Sequence, residues 1–429
     1  IMNNGEHVPM DKVLIVSHFF AQCRHFRSTR INGLARYLPQ QGWSPVVLTS
    51  AVAPEVTGDF TSVEVPYEDY LRHWKERLGL KADQPLKEQV EEGKAGKRSL
   101  ADRALTTWER VYGFPDPTLS WVGPAVEAGR KLMADGDVKA IISSSGPGAS
   151  HIVASKLKEE RDVPWVADFR DLWAWDHNDV RSPVRRLMNE KLERDTLRNA
   201  DVLTTVSDPL AEKLKEIHHR DRVITIPNGF DPVDMPSQAV DLDRKFSINY
   251  TGKVYRKGMD PAPLFDALGK LFTEGTVDRR DVDVNFYGDR NPWFMTEIEG
   301  RGLGDVIKVH GTVPRQQSLD IQKRSQLLLI LAWDNKKEKG VYTGKIFDYL
   351  AAKRPILSIG SSEDVISKLL ASTGTGLIAT DDQGLQRILV SSYKEYKSMG
   401  AVGYKGDMPK VMEYSHANMA KRFADLLRP

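Results

Sequence analysis

Two stretches of the sequence combine glycines, cations and a carboxylate in a way that suits phosphate chemistry. Lys339-Gly340-Val341-Tyr342-Thr343-Gly344-Lys345 leads into a helix-period segment carrying Asp348. A glycine-bearing turn at a helix start presents backbone N–H groups and an ammonium to an anion. Asp348, one turn in, can accept hydrogen bonds from ribose hydroxyls. Earlier, Tyr250-Thr251-Gly252-Lys253 ends an apolar run and is followed by Arg256 and Lys257. Cations just past a strand, with a glycine for close approach, fit a diphosphate.

The first half carries a different constellation. Asp168-Phe169-Arg170-Asp171 alternates charges after an apolar run, a costly choice unless the charges are paired or functional. Ser143-Ser144-Ser145-Gly146-Pro147-Gly148-Ala149-Ser150-His151 opens a helix whose free N–H groups could face a ligand. His151, Asp168, Arg170 and Asp171 are therefore the candidate catalytic residues, and Arg24, Arg27 and Arg30 the candidate cations on the acceptor side. Surface arginines and a structural Asp–Arg pair are the competing readings of these charges.

Several chemistries are disfavoured. The segment after the first apolar run, His18 to Ser28, holds no glycine, so it cannot be the G-x-G-x-x-G turn of a nicotinamide or flavin enzyme. Asp281-Val282-Asp283 resembles a metal-binding D-x-D but runs into a strand and is read as surface. The ten histidines show no zinc-ligand spacing, and Cys23 is the single cysteine. No metal and no cofactor is expected.

These residues must be positioned by something, and the hydropathy pattern says what. Short apolar runs alternate with helix-period segments: Lys12–Ser17, Pro45–Thr49, Ala140–Ser143, Val163–Ala167, Val202–Val206 and Val223–Ile226, then Phe246–Tyr250, Val282–Tyr287, Val306–His310, Leu327–Ala332, Pro355–Ile359 and Gly376–Ala379. Ile31, Leu34, Ala35 and Leu38 make one helical face, and helices are predicted over Pro261–Leu271 and Lys345–Ala352. Buried parallel strands covered by helices on both faces follow, in two doubly wound α/β domains. A length of 429 residues agrees with two domains. The expected divisions are 1–230, with a charged helical insertion over about 66–110; a polar linker, 231–244; a second domain, 245–410; and a terminal helix within 411–429.

The formal net charge of +2 gives no argument for nucleic acid, although residues 241–429 carry the more basic balance. The longest strongly apolar run, Leu327 to Trp333, is too short to span a bilayer. With a polar start and one cysteine, a cytoplasmic location is expected. The insertion offers a basic amphipathic face for peripheral membrane contact, or is a solvated helical segment.

The ordered set KVLIVSHFF, PDPTLSWVGPA, PWVADFRDLW, VITIPNGFDP, YTGKVYRKGMDPAPLF, HGTVP and GVYTGKIFDYLAAKRPIL resembles the family 4 glycosyltransferases of the GT-B fold. The resemblance implies two Rossmann-like domains facing across a cleft, with a C-terminal helix crossing back to the first. It also implies a retaining transferase that takes a sugar from a nucleoside-diphosphate sugar, often a UDP-sugar, to a hydroxyl acceptor without an obligatory metal. The acceptor is a glycan, a lipid-linked glycan or a small molecule, as in bacterial polysaccharide or glycoconjugate synthesis. The implied donor set is Gly252, Lys253, Arg256, Lys257, Gly288, His310, Val313, Tyr342, Thr343, Gly344, Lys345 and Asp348. Asp348 takes the second place of the family's Glu-x7-Glu pair; the first falls on Gly340, with Glu338 as the nearby substitute. The alternatives are a sugar-nucleotide epimerase on the same fold and a non-catalytic sugar-nucleotide-binding protein.

Overall fold

A computed structural model describes residues 10–20, 28–50, 58–67, 118–175, 183–256, 258–331, 340, 342–360 and 362–428. The chain divides into two compact units: Ile1–Ile226 together with Ala420–Pro429, and Pro227–Met419.

In the first unit the described residues form a seven-stranded parallel sheet. Its strands are β1 (Asp11–Val16), β2 (Trp43–Thr49), β3 (Thr61–Glu64), β4 (Val138–Ser144), β5 (Trp165–Phe169), β6 (Val202–Thr205) and β7 (Val223–Thr225), in the order β3-β2-β1-β4-β5-β6-β7. Val13 to Val16 of β1 are all fully buried, as expected of a central strand covered on both faces. The helices are α1 (Thr29–Tyr37), α2 (Leu119–Leu132), α3 (Ala149–Glu160), α4 (Pro183–Leu197) and α5 (Asp208–His218). Ile31, Leu34 and Ala35 of α1 are buried, and Ala149, Val153, Ala154 and Leu157 of α3 enter the core beside Ile141 and Trp165.

Two details differ from the sequence reading. β3 is a half-exposed edge strand with no apolar run to announce it. β5 begins at Trp165 and ends at Phe169, so Asp168 lies inside a strand rather than after one. The cause is burial: Trp165 and Phe169 are both fully buried, and the strand runs between them.

The described residues of the second unit form a six-stranded parallel sheet of β8 (Phe246–Thr251), β9 (Val282–Tyr287), β10 (Ile307–Val309), β11 (Leu327–Leu331), β12 (Ile356–Ile359) and β13 (Gly376–Ala379), ordered β10-β9-β8-β11-β12-β13. Helices α6 (Ala262–Thr273), α7 (Pro292–Gly300), α8 (Arg315–Arg324), α9 (Lys345–Ala352), α10 (Val365–Thr373), α11 (Asp382–Met399), α12 (Met408–Met412) and α13 (His416–Leu427) accompany it. One core joins Phe246, Ile248 and Tyr250 of β8 to Val282, Val284 and Phe286 of β9, with Leu264, Phe294 and Leu385 from three helices. A second joins Leu328 and Ile330 of β11 to Ile346, Phe347 and Leu350 of α9.

From Ala420 onward α13 groups with the first unit, where Arg422 donates to the Thr225 carbonyl and Arg428 to that of Gln41. No described helix is long and apolar enough to cross a membrane. Most of the predicted insertion, from residue 68 onward, lies outside the described residues.

In each sheet the strand order reverses at one point, between β1 and β4 and between β8 and β11. Open α/β sheets bind their ligands beyond the carboxyl ends of the strands at such a reversal. The two reversals are therefore where the candidate residues have to be sought.

Candidate functional site

At the reversal of the second unit, β8 ends in Thr251 and Gly252, and α9 starts at Lys345. Lys345 and Tyr349 are four residues apart and share one face of α9, which docks on the end of β8. Tyr349 accepts a bond from the Thr251 N–H at 3.0 Å. The Lys345 ammonium donates to the Tyr250 hydroxyl and sits 3.9 Å from the centre of its ring. Tyr250 passes its own proton to the Lys253 carbonyl at 2.8 Å. Burial pushes Lys345 down to about 7, and no carboxylate contributes to its value. A half-buried cation with no counter-ion among the described residues is costly. Here it stands at the N-terminus of α9, whose dipole adds to the same positive field, while the Ile346 and Phe347 N–H groups bond back to the Thr343 and Gly344 carbonyls at 3.1 and 3.3 Å.

Glycines keep this corner open. Gly252 has φ +122°, and a Cβ there would meet the Lys345 ammonium at 3.2 Å. Gly288 is tighter: a Cβ would lie 2.2 Å from the Gly252 carbonyl oxygen, so the ends of β8 and β9 touch backbone to backbone. Gly344 is the N-cap of α9, and the hydroxyl of Thr343 is buried with no hydrogen-bond partner among the described residues.

The other expected donor residues are placed less uniformly. Lys253 pairs with Asp289 at 3.4 Å and is mostly exposed, and Arg256 is exposed. Asp348 does not stand alone: Arg315 grips it through both oxygens, at 3.2 and 3.1 Å, and also reaches Asp234 at 3.3 Å. A ribose diol at Asp348 would have to share or displace Arg315. His310 stacks on Tyr287 at 4.5 Å, with Nε2 2.8 Å from Asn285 Oδ1, and burial lowers its pKa. Val313 lies half-buried between β10 and α8, and Tyr342 packs its ring 5.6 Å from that of Phe347. Lys257 and Glu338 lie outside the described residues.

The first unit rearranges the candidate charges. Asp168 is fully buried and accepts four bonds. Arg30 supplies two at 2.9 Å, Ser144 one at 3.0 Å and Thr204 one at 2.9 Å. Burial pushes the Asp168 carboxyl up, but the Arg30 guanidinium and the hydroxyls outweigh it and hold the carboxyl below its usual range. Phe423 covers Arg30, its ring centre 5.2 Å away. Arg30, expected on the acceptor side, is thus the counter-ion of Asp168. Arg24 and Arg27 lie outside the described residues.

Arg170 turns back onto the Gly-Pro-Gly turn, donating to the Ser145 carbonyl at 3.0 Å and that of Gly146 at 3.4 Å. Trp173 lies on Gly148, where a Cβ would be 2.3 Å from the indole. Of the three charges only Asp171 is exposed.

His151, in the first turn of α3, is fully buried, its Nδ1 2.7 Å from the Ser143 hydroxyl. That hydroxyl also accepts from the Trp165 indole at 2.8 Å. Its one proton then goes to His151 Nδ1, the only other partner among the described residues, which leaves the imidazole proton on Nε2. Nε2 has no partner among the described residues. Burial pushes His151 down to about 3, so the ring is a neutral N–H donor rather than a base.

The sequence reading passed over His18, which follows β1 at the reversal itself. It is buried between Phe19, Tyr67 and Trp121, ring centres 4.9, 4.8 and 5.1 Å away. Burial pushes it down to about 4. Its Nδ1 and the Trp121 indole N–H both lack partners among the described residues. The signal that could have found it is its place after the first strand. Among the described residues no three His, Cys, Asp or Glu side chains group as metal ligands. Asp281 is held by Tyr393 and Lys397, and Asp283 by Lys245 and Lys308.

Two parallel sheets, each with one reversal of strand order and flanking helices, define a fold of two Rossmann-like α/β domains. Residues 28–229 match the family described as a glycosyl transferase 4-like domain. No curated protein sequence matches it. Among solved structures it is similar to a sucrose-phosphate synthase from Thermosynechococcus elongatus, with a TM-score of 0.60, 12% identity and coverage of 97% of this chain and 98% of that one. It is similar to HepE of Anabaena in complex with UDP and glucose, with a TM-score of 0.59, 12% identity and coverage of 97% and 99%. A glycosyltransferase from Rickettsia africae gives a TM-score of 0.58 at 12% identity, with 98% and 99% covered. At these identities the likeness is one of fold.

Proposed function

We propose that the chain transfers a sugar, with retention, from a nucleoside-diphosphate sugar to a hydroxyl acceptor, and that UDP carries the sugar. The observation that supports this best is Lys345: a half-buried ammonium with no carboxylate beside it among the described residues, at a helix N-terminus, next to two glycines whose backbones touch. Such a corner suits an anion. In this reading the diphosphate lies across Gly252 and the start of α9, with Lys345, Lys253, Arg256 and Lys257 neutralising it without a metal. Charge develops on the β-phosphate as the sugar leaves, and these groups stabilise it there. The acceptor hydroxyl attacks from the face the leaving group vacates.

On the acceptor side we assign Asp171 and the N–H donors of His151 and Trp121 to substrate, with His18. Asp168 and Arg30 hold the strand ends in place without touching it. The acceptor is a glycan, a lipid-linked glycan or a small molecule. The compartment is the cytoplasm, with peripheral contact at the inner membrane face.

The test is a thermal-shift series with UDP-, GDP- and ADP-sugars, followed by product analysis on an acceptor panel. A donor at 100 times its Kd adds about 2.7 kcal/mol to stability, a readily seen shift. A UDP-sugar that stabilises and is consumed only with acceptor supports the proposal; epimerised sugar without acceptor would replace it. Asp171→Asn keeps the side chain's shape and is expected to lower turnover by about tenfold to a hundredfold while UDP affinity stays unchanged. Full turnover in that variant would remove Asp171 from the site.

A further inference from the structure

The segment bearing Arg170 and Asp171 is pinned along its length. Its start is tied by Arg170, whose N–H bonds the Ser145 hydroxyl at 3.3 Å and whose side chain bonds the Ser145 carbonyl. Its middle is fixed by Trp173 against Gly148. Its far end is held by a group from another helix: the Ala174 N–H donates to Glu193 Oε2 on α4 at 2.7 Å. The second oxygen of Glu193 lies 2.9 Å from His218 Nε2, at the end of α5. The side chains of Glu193 and His218 are only 1% and 4% exposed. A carboxylate buried to that degree is costly and is not needed to close a loop, since a main-chain carbonyl or a serine would serve. What it adds is a fixed, charge-assisted anchor carried by two helices. The ring of His218 continues the contact inward, 6.4 Å from Phe169, which packs 4.8 Å from His151.

We propose that Glu193, backed by His218, is a positioning residue for transfer: it fixes the Asp171-bearing segment over the start of α3 by holding the Ala174 amide. The inference rests on the reading of Asp171 as an acceptor-side group. Neither Glu193 nor His218 touches substrate. Their effect is geometric, and a displacement of the segment by a fraction of its bond length alters how Asp171 meets a hydroxyl.

The variants Glu193→Ala and Glu193→Gln test this on the full-length chain, read by acceptor kinetics, UDP calorimetry and hydrogen exchange at the Ala174 amide. Glutamine keeps the side chain's length and an acceptor oxygen for Ala174. Glu193→Ala is expected to lose Ala174 protection and about tenfold or more in kcat per folded molecule, with UDP affinity unchanged. Glu193→Gln should keep protection and recover kcat to within about threefold of the parent. If Glu193→Ala does not fold, Glu193→Asp, one methylene shorter, reads the same two quantities. Unchanged protection, or lost protection with full kcat, overturns the proposal. If the parent chain neither transfers sugar nor binds UDP, the functional reading fails. The exchange data then still decide whether Glu193 holds the segment.

Discussion

At the scale of single residues, Lys345 carries the most direct prediction. Its ordinary value of 10.5 is pushed down to about 7 by burial, so the ligand-free amine is charged below that pH and neutral above it. A bound diphosphate favours the ammonium, so binding takes up a proton, and UDP affinity should fall as pH rises above 7. The window to measure is about pH 7.5 to 9.5, above the phosphate's own titration near 6. Lys345→Ala should abolish this slope and weaken UDP by about one to two orders of magnitude, the worth of a charge-assisted bond. Calorimetry showing a flat profile, or an unchanged Kd in the variant, would move the diphosphate elsewhere. The buried Arg30–Asp168 pair gives a prediction of the opposite kind. Arg30→Met leaves a buried carboxylate unpaired and should cost about 3–5 kcal/mol by denaturant unfolding. Arg30→Met with Asp168→Leu should recover much of that. Equal losses in the single and double variants would show that the apolar packing around the pair matters more than its charge.

At the scale of elements, the sequence announced most of the scaffold. α9 runs from Lys345 to Ala352 as its glycine start and apolar stripe predict, and the central strands are apolar because helices cover both faces. β3 stayed hidden because an edge strand needs no apolar run. The candidate site was legible only in part. Asp168 and Arg170 looked like one cluster because they are adjacent in sequence. The partner that neutralises Asp168 is Arg30, 138 residues away, and local spacing cannot report such a contact. Asp348 likewise finds Arg315 across 33 residues. Gly288 could be chosen from the resemblance, but its reason is spatial: the Gly252 carbonyl occupies the place of a side chain. Gly288→Ala must push the ends of β8 and β9 apart. A loss of about 1–3 kcal/mol in stability is expected, with weaker UDP binding. An unchanged melting temperature together with unchanged UDP affinity would mean that the contact is looser than its geometry states.

At the scale of the whole molecule, charge neutralisation by lysine and arginine predicts how the enzyme responds to additives. Activity on a matched donor and acceptor should survive excess EDTA. Salt should be more damaging, because exposed cations such as Lys253 are screened over about 8 Å at physiological ionic strength. Loss of activity in EDTA with recovery in Mn²⁺ would overturn the metal-free proposal and return attention to the carboxylates. The division of the chain has a consequence of another sort. Residues from Ala420 onward belong to the first unit, and Phe423 roofs the Arg30 side of its buried ion pair. A ribosome makes this roof only after all of Pro227–Met419 has been synthesised. The nascent first unit must therefore wait with Arg30 and Asp168 incompletely covered while the second unit is synthesised. Domains generally fold in order of emergence. Here that order is broken, because the first unit is completed only by a segment translated after the second.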